Sequence, residues 1–182
     1  MATALNERPI PTGEGLTFEK VWAMFQETDR KMQETDRKIG ELSNRFGELA
    51  EHLVAPGIAD RFNELGYHFD GVAPGGFEIK DDKRKVIAEI DILLENGDCI
   101  MAVEVKTRPR VQDMEHHGKR LEILREYRNK KSDFRKIYGA IAGAVFGAEE
   151  KRAAIDAGFY VLEQSGDTMK MDIPPDFKPR EW

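Results

Sequence analysis

Asp91, Glu104 and Lys106 are the residues of this sequence whose types and spacing offer chemistry. They lie in KVIAEIDILLENGDCIMAVEVKTRP (85–109), which reads as two strands around a turn at Asn96-Gly97. Asn-Gly between apolar runs signals a two-residue hairpin loop, because both turn positions take positive φ. Counting outward pairs Glu95 with Asp98, Leu94 with Cys99, Ile92 with Met101, Ile90 with Val103 and Ala88 with Val105. With Val86 that face is apolar and should lie on a core. The other face carries Ile87, Glu89, Asp91 and Leu93 from the first strand, and Ile100, Ala102, Glu104 and Lys106 from the second. Glu89 falls opposite Glu104, with Asp91 one diagonal step away. Opposed like charges destabilise a strand pair, so three carboxylates within about 5–8 Å call for positive charge between them. Lys106 supplies one charge and a divalent cation would supply two. Hard cations such as Mg2+ take one or two carboxylates and keep several waters. The plain alternative is a strand-face salt bridge between Glu104 and Lys106.

Asp91, then Glu104-Val105-Lys106 after a hairpin, resembles the PD-(D/E)xK nuclease superfamily, although Ile90 stands where a Pro is common. The whole chain also resembles a group of prokaryotic proteins with a helical arm before a nuclease-like domain. The resemblance implies an α/β, restriction-endonuclease-like mixed sheet flanked by helices, and hydrolysis of DNA phosphodiesters with Mg2+ or Mn2+. It implies Asp91 and Glu104 as metal ligands, with the Val105 carbonyl as an added ligand. Glu89 is either a ligand or a group behind the ligands, or simply pairs with Lys106 or a nearby Arg. Lys106 would orient the attacking water or stabilise the pentavalent phosphate. Resolvase-like members often add an acid from the first helix. Glu51 is the candidate, Glu48 and Glu64 are its rivals, and an ordinary surface glutamate is the alternative. Related nucleases also place a Gln or His near the scissile phosphate on the helix after the lysine. His117, on the sheet side with Met114 and Leu121, is that candidate, and a packing role is its alternative.

The elements that must hold these residues follow along the chain. Residues 1–16 hold two Pro and two Gly and read as disordered. A seven-residue repeat covers 17–55: Phe25-Gln-Glu-Thr-Asp-Arg-Lys precedes Met32-Gln-Glu-Thr-Asp-Arg-Lys. Phe18, Phe25, Met32, Ile39, Phe46 and Leu53 take position a; Val21, Thr28, Thr35, Leu42 and Leu49 take position d. Such heptads specify a coiled-coil arm of about 50 Å. So narrow a stripe is buried by a partner, and Lys31 at g meets Asp36 at e of a parallel neighbour, giving a parallel dimer or a higher state. The alternative is a helix folded back on its own domain. Pro56-Gly57 ends the heptads and opens the nuclease-like domain, 56–182, with a short helix to Leu65. After the hairpin come a helix from Val111 to about Asn129, a strand within 134–146, a helix over 149–157 and a strand at 159–162. That order gives an α/β domain with a mixed sheet.

Composition sets the remaining bounds. The 182 residues carry a net charge of −6, which argues against a general nucleic-acid coat. Residues 106–136, however, hold 11 Lys+Arg against 5 Asp+Glu, or +6, leaving −12 elsewhere. Phosphate binding depends on such clustering, so Arg108, Arg110, Lys119 and Arg120 are candidate DNA contacts; a solvated helix face is the alternative. The single Cys, Cys99, permits no internal disulfide and points to a cytoplasmic protein. No signal core and no membrane span is expected. Two other classes stay open beside the nuclease: a nuclease-like module that binds without cutting, and a coiled-coil adaptor with a globular head.

Overall fold

The computed structural model describes the backbone of residues 18–166 and 168–182, and the side chains of 20–39, 54–166 and 168–182. The expectation for 1–16, and those for the side chains of Phe18, Leu42, Phe46, Glu48, Leu49, Glu51 and Leu53, lie outside the described residues. The chain divides into two compact units, Met1–Arg45 and Phe46–Trp182.

The elements are α1 (Phe18–Glu64), β1 (Gly71–Lys80), β2 (Val86–Glu95), β3 (Cys99–Lys106), α2 (Val111–Lys130), β4 (Lys136–Gly143), α3 (Ala148–Asp156), β5 (Tyr160–Ser165) and β6 (Thr168–Met171). Pro56 lies inside α1 instead of opening a new helix. A proline removes one backbone bond from a helix; here Ala55, Ile58, Ala59 and Phe62, all buried, anchor the turns around it.

In the second unit a six-stranded mixed sheet runs in the order β1-β2-β3-β4-β5-β6. The outer pairs are antiparallel, while β3, β4 and β5 are parallel and joined through α2 and α3. One sheet face packs Ile92, Leu94, Met101 and Val103 against Ile58 and Phe62 of α1. The other packs Leu93, Ile100, Ala102, Ile137 and Ile141 against Met114, Leu121 and Leu124 of α2 and Ala154 of α3. The unit is therefore an α/β assembly of three layers.

The hairpin register differs from the sequence count by two residues: Leu94 pairs with Met101 and Ile92 with Val103. Asn96 lengthens the turn. Its side-chain carbonyl accepts the backbone N–H of Asp98 at 2.8 Å and of Cys99 at 2.7 Å, and its amide donates to the Tyr67 carbonyl. A shift of two preserves which side chains share a face. Ala88 and Ile90 are a correction: they pack with the α2 layer, not with Ile92 and Leu94. Between Ile90 and Ile92 the pairing with β1 is irregular, because Gly75 and Gly76 stand opposite Asp91 alone. Their φ of 86 and 90 is open to glycine and strained for other residues.

Candidate active site

The site forms where β2 and β3 part. Their ladder ends at Ile92 and Val103. One step further along that register, Asp91 stands across from Glu104, the place the sequence count gave to Glu89. Two carboxylates facing each other repel, and the strands replace the next rung with a side-chain bond. The Val105 N–H donates to Asp91 Oδ2 at 2.7 Å. Asp91 Oδ1 takes no bond from any described residue.

Glu104 points into the α2 layer and is 2% exposed. Three groups meet it. Lys106 Nζ lies 2.6 Å from Oε1. Arg120, on α2, donates through Nη1 to Oε2. His117, one turn earlier on α2, places Nδ1 3.7 Å from Oε2. Lys106 and Arg120 stay partly open to solvent, their side chains 38% and 32% exposed.

These surroundings push the two carboxyls apart. Burial, with Glu104 nearby, raises Asp91 to about 6. Burial also works against an ionised Glu104, yet His117, Lys106 and Arg120 hold it below the ordinary carboxylate range. Of these, Lys106 and Arg120 carry the positive charge at neutral pH, since burial lowers His117 to about 4. Lys106 loses solvation, but its bond to Glu104 more than compensates and keeps the ammonium charged to higher pH than usual. Such divergence between neighbouring acids is a mark of functional sites.

Asp91, Glu104, Val105 and Lys106 are therefore neighbours, with Asp91 across from Glu104 where the sequence count set Glu89. Other candidates take different places: Glu89 stands apart, while His117 and Arg120 meet Glu104 from α2. Glu89 is exposed, pairs across to Glu78 of β1, and lies against Gly76, where an added Cβ would sit 3.1 Å from its Oε1. His117 is fully buried and its Nε2 hydrogen-bonds the Ala102 carbonyl at 3.0 Å. A ring so enclosed has no access to a phosphate, which corrects the expectation of a direct role and leaves it the part of a support behind Glu104. Arg120 is tied to Glu104 instead of standing free for DNA. Its spacing held the signal: three residues after His117, it is a neighbour of that ring on the helix surface. Arg108, Arg110 and Lys119 are exposed and make no ion pair among the described residues. The +6 segment is a weaker phosphate surface than its count implies, because Arg125, Arg128 and Arg135 are spent on Asp133, Glu95 and backbone carbonyls.

The donor set suits a hard cation with a partial protein shell: two neighbouring carboxylates, one of them with an oxygen that no described residue bonds. No group of three or more His, Cys, Asp or Glu side chains gathers for a metal among the described residues. No described helix is long and apolar enough to cross a membrane. Compared with protein families, with curated proteins and with solved structures, the chain matches none.

Proposed function

We propose that the chain is a metal-dependent nuclease of restriction-endonuclease-like fold that hydrolyses DNA phosphodiester bonds and self-associates through its arm. The observation that carries the reading is the meeting of Asp91 with Glu104-Val105-Lys106 at the opening between β2 and β3. Asp91, Glu104 and the Val105 carbonyl would hold Mg2+ or Mn2+. When bound, such an ion lowers the pKa of a water and neutralises charge on the attacked phosphate. Asp91 lacks a side-chain cation, so its ionised form is the one such an ion would favour. Lys106 stays protonated and faces solvent from Glu104, which suits it to charge building on a phosphoryl oxygen and not to proton abstraction. His117 is held by its bond to Ala102 and fills the space behind Glu104. Arg108, Arg110 and Lys119 supply exposed positive charge on the same stretch of chain.

The test is incubation of the purified protein with duplex, branched and single-stranded DNA and Mg2+ or Mn2+. Cleavage is expected to be lost in Asp91→Ala and in Lys106→Ala; activity that survives both changes refutes the assignment. One observation favours a second reading, a module that binds without cutting: both Glu104 oxygens are already held by side-chain cations. In that case DNA binds, and calorimetry shows no uptake of Mn2+.

The arm supports self-association by what it leaves open. Val21, Trp22, Met24, Phe25, Met32 and Ile39 are exposed, Phe25 by 66%. The seam threonines need no partner: Thr28 and Thr35 donate their hydroxyls to the Met24 and Lys31 carbonyls at 2.8 Å. Positions g carry Lys31 and Lys38 and positions e carry Asp29 and Asp36. A parallel pairing sets opposite charges together and an antiparallel one sets like charges together. Light scattering should report an oligomer for the whole protein and a monomer for Phe25→Asp/Ile39→Asp; a monomeric wild type overturns this part.

A further inference from the structure

We infer that Arg120 is a built-in counter-ion that a divalent metal must evict from Glu104, and that the evicted guanidinium then grips a DNA phosphate, coupling metal binding to DNA binding through one side chain. The inference rests on the nuclease reading and concerns how its site is loaded.

Charge is balanced around the opening without any ion. Asp91 and Glu104 contribute two negative charges, Lys106 and Arg120 two positive ones. Both Glu104 oxygens are occupied, Oε1 by Lys106 and Oε2 by Arg120. A divalent ion on the two carboxylates therefore competes for an oxygen already in use and leaves two positive charges in excess. One cation has to move outward, and a phosphate oxygen relieves the remainder.

Geometry selects Arg120 as the one that moves. Lys106 stands on β3 itself, two residues from Glu104 on the same strand, so its ammonium stays near that carboxylate although its side chain is 38% exposed. Arg120 reaches Glu104 from α2 on a long side chain that is 32% exposed, so a rotation about its own bonds carries the guanidinium into water. Lys119, the preceding residue of α2, is exposed and adds positive charge to the same helix. Oε2 cannot be satisfied by His117 once Arg120 leaves. The Nε2 of that ring faces the Ala102 carbonyl, which only accepts, so Nε2 carries the hydrogen and Nδ1 has none to give. Nδ1 is buried with no hydrogen-bond partner. A cation must replace the departing one, which makes loading an exchange and not an addition. A released guanidinium offers the planar fork that matches phosphate oxygens.

The experiment titrates Mn2+ alone into wild type, Arg120→Gln, Arg120→Lys and Asp91→Asn by calorimetry. It then measures the affinity of each for a phosphorothioate duplex with and without Mn2+. Loss of the competitor should make Arg120→Gln bind Mn2+ about tenfold more tightly than wild type, with Arg120→Lys between them. Mn2+ should raise wild-type affinity for the duplex by about tenfold and that of Arg120→Gln by less than about twofold. Unchanged or weaker Mn2+ binding by Arg120→Gln, or an undiminished Mn2+ effect on its DNA affinity, overturns the role of Arg120. If Asp91→Asn binds Mn2+ as wild type does, or if wild type binds none, the nuclease reading itself fails, and the inference with it.

Discussion

Two clusters of acids and bases join the hairpin to α2 or to the segment that follows it, and they are built to opposite ends. At the turn end of the hairpin, Asp133 receives Arg135 through Nε at 2.9 Å and Nη2 at 2.7 Å, with Arg128 at 3.3 Å. Arg128 also bonds Glu95, Arg135 reaches the Asn96 carbonyl at 2.7 Å, and Arg125 bonds the carbonyls of Asp133 and Arg135. There the guanidiniums spend their donors on fixed acceptors, and Arg135 holds the Asp133 carboxyl well below its usual range. At the open end, Glu104 is saturated but Asp91 has only a backbone donor and is raised to about 6. The first cluster clamps α2, β4 and the hairpin. The second keeps an acid, Asp91, to which no side-chain cation is bonded among the described residues. The contrast teaches that the number of charges says little, and that the residue to notice is the one left over.

The largest expected effect separates the clusters by activity. Lys106→Ala should lower DNA cleavage about a thousandfold, while Arg135→Ala leaves the rate per folded molecule within about twofold. Equal losses in the two variants would dissolve the distinction. Stability should reverse the order: Arg135→Ala should cost about 2 kcal/mol in urea unfolding, because it leaves Asp133 and the Asn96 carbonyl short of donors. Asp91→Asn should instead stabilise the metal-free protein at pH 7.5, by about 1 kcal/mol after allowance for solvent screening.

The finest test is the pH at which each difference appears. Asp91 has a raised folded pKa, so its favourable contribution is present below about 3.8 and lost as pH climbs through about 6. The advantage of Asp91→Asn should thus be absent near pH 3.5 and grow to a plateau above about 6.5. Asp133 has a depressed folded pKa, so it stabilises above its unfolded value and that stability is lost in acid. The deficit of Asp133→Asn should be flat from about pH 5 to 8 and shrink below about 4. Thermal unfolding curves that move together across pH would remove the basis for treating the two acids differently.

Much of this was legible in the residues. The period-two pattern placed Asp91, Glu104 and Lys106 together, and a turn misjudged by two residues left that grouping intact because side-chain direction repeats every two. The Asn96 side chain, not the Asn-Gly dipeptide alone, set the loop, and a dipeptide rule carries no information about a side chain that caps its own turn. The face change at Asp91 was hidden because it depends on Gly75 and Gly76 of a different strand. Pro56 reads as a boundary in the sequence, since the burial that carries α1 through it is supplied by the sheet. Arg120 was read by charge as a surface group; its attachment to Glu104 is a tertiary fact that only its phase with His117 foreshadowed.

A stack of rings has an optical consequence. Trp182 lies on Phe159 with centroids 5.1 Å apart, and Phe159 lies 5.4 Å from His117, directly behind Glu104. The Trp182 backbone is pinned by its N–H to the Ile137 carbonyl at 3.0 Å, and its indole nitrogen is shielded. The sequence has two tryptophans, and the other, Trp22, is 56% exposed on α1. Emission from Trp182 should therefore monitor the packing behind the carboxylate, while quenching of Trp22 should report whether the arm is single or paired.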